Sequence, residues 1–232
     1  MKTSTVKFVL VLMVVWLVVA CRGTPRADDG GVTAASLPEL LTADARRMIA
    51  AYPNTQYSHK THIDQHRGIC EVDCSGFIVV LLRDKAPKQL ASIRTTHKRP
   101  LAEDFYAAFA PKQGPCARGW KHIERLAEAL PGDVVAWVKP DHVPGDNTGH
   151  VVLLAEKPVA ETDQRLRVRI YDSTLHGHAL DERANAGRSG IGQGTLWIDV
   201  DNQGRPIGYR WKSRTGMLHT APIAIGRPIP SD

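Results

Sequence analysis

The chain opens on one continuously apolar run and then changes its hydrophobic period twice. Phe8 to Ala20 (FVLVLMVVWLVVA) follows Lys2 and Lys7 and is too short for a comfortable membrane span. Leu40, Leu41, Ala45, Met48 and Ile49 then recur at helical spacing, behind a Ser36 N-cap with Pro38 and Glu39 in the first turn. They predict an amphipathic helix over 37–51, ended by Pro53. Residues 54–69 are polar and without period, a predicted loop. From Cys74 to about Arg83 the chain is almost wholly apolar (FIVVLL), and its Asp-Cys-Ser-Gly start suits a buried helix better than a strand. Residues 84–99 are basic and irregular. Pro100 opens a helix, LAEDFYAAFA, closed by Pro111, and Ile123, Leu126, Ala127 and Leu130 predict another over about 118–130.

Beyond Pro131-Gly132-Asp133 the period becomes that of strands. DVVAWVK, GHVVLLAEKP and LRVRIYDS read as three strands, and residues 174–193 as a Gly- and Arg-rich loop. GTLWIDVD and PIGYRWK form a hairpin about Asn202-Gln203-Gly204, and APIAIGRPI supplies a last edge strand. Helices followed by a meander of antiparallel strands give an α+β class.

Composition is ordinary for a globular protein, 43% hydrophobic and 23% charged, and 232 residues support one sizeable domain over 36–232. The apolar run ends LVVAC, and the small Ala20 before Cys21 resembles a lipobox. That resemblance implies a signal peptide over 1–20, cleavage before Cys21 and lipid on that cysteine. The small, polar residues 21–35 then form a tether, and Arg22 points to the outer membrane, facing the periplasm. The net charge of +6 becomes +4 once the two signal-peptide lysines are gone, too mild and scattered for nucleic acid. With Cys21 lipidated, three cysteines remain in an oxidising compartment. A Cys70–Cys116 disulfide would leave Cys74 free, although counting alone does not fix the pairing.

A thiol at a helix start lies in a field that favours its anion, so Cys74 is a candidate nucleophile. A nucleophile needs a base and the base an orienting partner. His150 opens one predicted strand and Asp172 ends the next, which places them side by side on an antiparallel sheet. Asp172 serves equally as a turn cap, and His176 and His178 are alternatives for the third group.

DCSG, PGD-V-V-A-W and GHVVLL, in that order, resemble the NlpC-type cysteine peptidases of bacterial cell walls. The resemblance runs from about Asn54 to Ser173. It implies a papain-like fold with N-terminal helices packed on a central antiparallel sheet, Cys74 as nucleophile, His150 as base and Asp172 as third group. It further implies hydrolysis of peptidoglycan stem peptides through a thioester, without metal or organic cofactor. Tyr57 and the Cys74 backbone N–H would hold the oxyanion, and Asp73 and Ser75 line the substrate site, Asp73 either binding a substrate amine or capping the helix. The Tyr-Trp-Gly run usual before the cysteine is missing, and residues 174–232 exceed the usual compact domain.

The expected protein is a monomer in the cell envelope, tied to the membrane by its lipid and acting on peptidoglycan peptides. Other readings are transglutaminase-like or amidase chemistry with the same triad, and a non-catalytic envelope lipoprotein. A zinc site drawn from His59, His62, His66, Cys70 and Cys74 matches no zinc spacing, and solvated histidines explain that loop better. Gly187, Gly190, Gly192 and Gly194 precede a strand and read as a mobile loop.

Overall fold

The computed structural model describes residues 35–110, 116–140, 147–185 and 187–230. The signal peptide, the tether, Cys21 and Pro111 lie outside the described residues. No helix among those described is long and apolar enough to cross a membrane.

Helix α1 (Leu37–Ala51) starts as its sequence predicts: Ser36 and Glu39 cap each other reciprocally, with Pro38 in the first turn. Three short strands follow, β1 (Asn54–Tyr57), β2 (His62–Asp64) and β3 (Ile69–Val72). They form a separate sheet in the order β1-β3-β2, with β1 parallel to β3. Half of the expected loop over 54–69 is therefore strand. At three or four residues each, these strands are too short to show a period, and only pairing reveals them.

Helix α2 (Cys74–Lys85) runs directly from β3, and Phe77, Ile78, Val79, Leu81 and Leu82 are all buried. Burial on every side is the reason the run carries no amphipathic period. Two further helices, α3 (Pro87–Ser92) and α4 (Ala102–Phe109), complete the helical half. α3 falls in the stretch expected to be irregular; its six residues are too few to show a period.

The expected helix over 118–130 is absent. Its place is taken by a strand, β4 (Trp120–His122), and a single 3-10 turn at Leu126–Glu128. β4 pairs with β12 (Ile223–Pro228), whose backbone takes up its N–H and C=O groups. Long-range pairing has overridden local helix propensity.

Strands β4, β5 (Val134–Val138), β6 (Gly149–Leu154), β7 (Val159–Thr162), β8 (Arg165–Thr174), β9 (Gly190–Val200), β10 (Pro206–Arg210), β11 (His219–Thr220) and β12 form the main sheet. Its order is β11-β10-β9-β8-β6-β5-β12-β4, with β7 on the free part of β8. The last strand is thus internal, between β5 and β4, and not an edge. The α+β class holds.

Both faces of the sheet are buried. On one, α1, α2 and α4 pack Leu41, Phe77, Leu81, Phe105 and Phe109 against Val134, Ala136, Val151 and Leu153. On the other, Val135, Trp137, Val152, Leu154, Val168, Ile170, Leu196 and Ile198 form a second cluster roofed by Ile123, Leu126 and Ala129. Burial of both faces explains why VVAWV and HVVLL are continuous apolar runs.

The internal position of β12 can be tested. Arg227 donates through Nε and Nη2 to the fully buried carboxylate of Asp133, at 2.8 Å each, tying β12 to the turn before β5. Arg227→Met leaves that buried carboxylate without its cation and with only the Leu130 N–H, and the expected loss is about 3 kcal/mol in urea unfolding. A loss near that of a surface substitution would remove β12 from this position.

Candidate active site

Cys74 is the first residue of α2, and the sheet β1–β3 sets its surroundings. Tyr57 pairs with Val72 across the parallel β1–β3 ladder, so a tyrosine remote in sequence reaches the start of α2. Ser173 Oγ donates to Val72 O at 2.6 Å, which joins the end of β8 to the same point.

Asp73 is the N-cap: Gly76 N–H donates to its Oδ1 at 2.7 Å, and the Ser75 hydroxyl donates to it at 3.2 Å. Its Oδ2 accepts from Arg99 Nη2 at 2.6 Å and faces His59 Nδ1 at 3.3 Å. Arg99 Nη1 also donates to Ser75 Oγ at 2.6 Å. Asp73 therefore does cap the helix, and all its acceptor capacity is taken within the protein.

His150 stands across from the thiol. It is the second residue of β6 and pairs with Trp137 of β5, whose ring centroid lies 5.2 Å away. A Cβ on Gly149 would lie 1.9 Å from Trp137 O, so only glycine lets the strand enter the sheet at this point.

His150 Nε2 lies 2.7 Å from Asp172 Oδ2, and the imidazole is near enough to Cys74 for the sulfur to act on its proton. A carboxylate only accepts, so Nε2 carries a proton, which leaves Nδ1 for the sulfur. Burial works against the charged ring. The negative charge of Cys74 and the Asp172 hydrogen bond outweigh it and push His150 up to about 10.

Asp172 is fully buried. Its Oδ2 is also met by His178 Nε2 at 2.8 Å, and Arg183 Nη2 donates to its Oδ1 at 2.8 Å. Burial would raise this carboxyl. The charges of His178 and Arg183 and the hydrogen bonds from both histidines overcome it and hold Asp172 well below the usual carboxylate range. Arg183 is fixed in turn by Asp181, through Nε at 3.0 Å and Nη2 at 2.7 Å.

The sulfur opens on a cleft of about 240 Å³ lined by Tyr57, His59, Asp73, Ser75, Arg99 and Gly149. Burial and the negative charges of Cys74 and Asp73 push the Tyr57 phenol up, so it stays a hydrogen-bond donor. A thiol and the Tyr57 donor on the cleft, with an imidazole and its buried orienting carboxylate behind them, suit nucleophilic attack on a carbonyl.

The expected Cys70–Cys116 disulfide does not form. Cys70 and Cys116 are free thiols. Cys70 points from β3 into the core, where burial and Glu71 push it up to about 12, while Cys116 Sγ donates to Phe109 O at 3.6 Å. The candidate zinc ligands are dispersed: His59 faces Asp73, His62 faces Glu71, and His66 is exposed in a turn. Asp172, and not His176, meets His150; the exposed His176 uses its backbone O to accept from Trp211 Nε1.

The glycines expected in a mobile loop belong mostly to β9, Gly187 excepted. The sequence reading missed Arg183. Its one signal was a basic residue two positions after Asp181, which is indistinguishable from a surface pair.

His150, Asp172 and His178 each present one ligand-type atom within 4.8 Å of the others, the one such group among the described residues. The set of types suits a divalent metal. Its carboxylate, however, already bears the Arg183 cation and accepts both imidazole N–H groups, so the hydrogen bonds account for the arrangement.

Comparison with protein-family models, curated proteins and solved structures finds no match to this chain.

The sulfur–imidazole contact predicts a pH effect of known sign. Cys74→Ala removes the largest influence raising His150 while burial, which lowers it, remains. The His150 pKa, followed by NMR titration of its ring proton, should therefore fall from about 10. An unchanged value would mean that the two side chains do not interact. In the wild type, the stability from this raised pKa is complete below about pH 6.5 and disappears as pH rises through about 10.

Proposed function

We propose that the protein is a cysteine hydrolase with a papain-like arrangement of NlpC type, cleaving amide bonds in peptidoglycan stem peptides. The observation that carries the reading is His150 held between Cys74 and the buried Asp172. The substrate class rests on the DCSG, PGD and GH motifs and on the LVVAC lipobox, which together suggest an envelope lipoprotein.

The chemistry follows from the positions of the protons. The Cys74 thiolate attacks the scissile carbonyl carbon, and the oxyanion takes hydrogen bonds from the Cys74 backbone N–H and the Tyr57 hydroxyl. His150 then gives its Nδ1 proton to the departing amine, the C–N bond breaks, and a thioester remains. Water enters, loses a proton to His150 and attacks the thioester. The acid leaves, and Cys74 and His150 are again thiolate and imidazolium. Through all of this Asp172 stays ionised and keeps the imidazole in the Nε2–H tautomer. Transglutaminase-like transfer differs only in the nucleophile that takes the acyl group from sulfur.

Two measurements test the reading. Iodoacetamide should label Cys74 much faster than a model thiol at neutral pH, and muropeptide digestion should fall by about a thousandfold or more in Cys74→Ala. Model-thiol kinetics, or identical muropeptide products from both proteins, would leave only a binding role.

A further inference from the structure

Residues 175–185 leave the β8–β9 hairpin and fold back on the sheet, instead of closing in a short turn. Thr174 pairs with Gly190 at the neck of this excursion. Ala179 then bonds to Thr195 on the side of β9 away from β8, in both directions, at 3.2 and 2.9 Å. His178, next in the chain to Ala179, is fully buried and places Nε2 2.8 Å from Asp172 Oδ2, the oxygen that also accepts from His150.

Three contacts fix this second imidazole. The His178 backbone N–H donates to Asp181 Oδ2 at 2.9 Å. The Trp211 ring lies over His178 at 4.0 Å and meets the His150 ring edge-on at 5.2 Å. A Cβ on Gly194 would stand 2.8 Å from His178 Cβ and Cδ2, and one on Gly192 would stand 2.5 Å from Arg183 Nε. The glycines of β9 thus clear the space these side chains occupy.

His178 Nδ1 is buried without a hydrogen-bond partner. The cost of that orphaned nitrogen is one a purely structural side chain at this position would avoid.

We propose that His178 is a positioning residue for His150. By sharing Asp172 Oδ2 it fixes the carboxylate's rotation and limits how tightly that oxygen holds the His150 proton. The proposal deepens the hydrolase reading and rests on it. His150 is faced by Cys74 from α2, Asp172 from β8 and His178 from the excursion. Asp172 is faced in addition by Arg183 of α5 (Glu182–Asn185). With His178 gone, Asp172 has one donor fewer and holds the His150 proton more strongly.

The test compares the full chain with His178→Leu, which fills the space without a donor, and His178→Gln, whose amide restores one. Cys74 alkylation by iodoacetamide is followed against pH by mass spectrometry of its peptide, beside muropeptide turnover. In His178→Leu, kcat should fall about tenfold or more with KM little changed, and the alkaline limb of alkylation should move to higher pH. His178→Gln should recover much of both. A His178→Leu limb that superimposes on the wild type, or a stoichiometric zinc ion lost with His178, overturns the proposal. Model-thiol kinetics in the wild type would sink the nucleophile instead.

If His178→Leu does not fold, NMR of the wild type decides. Two downfield Nε2–H protons, on His150 and His178, are expected, and a single one on His150 overturns the proposal.

Discussion

A carboxylate with no access to water constrains this structure more than any other group. Asp172 is fully buried, and an uncompensated charge there would cost several kcal/mol. The compensation is complete: a guanidinium on one oxygen, two imidazoles on the other, and a second aspartate holding the guanidinium. These partners come from β6 and from the excursion between β8 and β9, so one anion ties distant parts of the sheet together. The same desolvation that makes the site expensive fixes the His150 ring, since competing water cannot reach Asp172.

The small sheet solves the other half of the geometry. β3 ends where α2 begins, and the parallel β1 delivers Tyr57 to that junction. Ser173 on Val72 O and Ile191 N–H on Thr55 Oγ1, at 2.8 Å, dock this sheet on the ends of β8 and β9. The thiol, on the helix that follows the small sheet, and the imidazole, on the main sheet, are thus held together by hydrogen bonds between the two sheets.

Features with a local physical cause were legible from residues alone. The Ser36-Glu39 capping box, the Asp73 cap on an apolar run and the β5, β6 and β8 runs are of that kind. The nearness of His150 to Asp172 followed from antiparallel register. Features that depend on distant pairing were not legible. β4 looked helical because Ile123, Leu126, Ala127 and Leu130 share helical spacing, yet β12 takes its backbone. β12 looked like an edge because nothing in APIAIGRPI marks two neighbours. β1 to β3 are too short for a period.

The Gly-rich start of β9 shows the same limit most clearly. Glycine in sequence signals freedom, and flexibility is its ordinary meaning. In β9, Gly192 and Gly194 carry the opposite sense, because no side chain there means that Arg183 and His178 can lie on the strand. Such an absence becomes readable only once the side chains filling it are known, and both belong to the segment that the cell-wall peptidase resemblance does not reach. Residues 174–232 are therefore no appendage to a finished domain. They provide the strands beyond β8, the internal β12, and every partner of Asp172 except His150. A chain ending at Ser173 would keep Cys74, His150 and Asp172 but leave the carboxylate without its guanidinium and second imidazole. Water would then reach Asp172 and compete for its hydrogen bond to His150, and the imidazole would lose its fixed orientation.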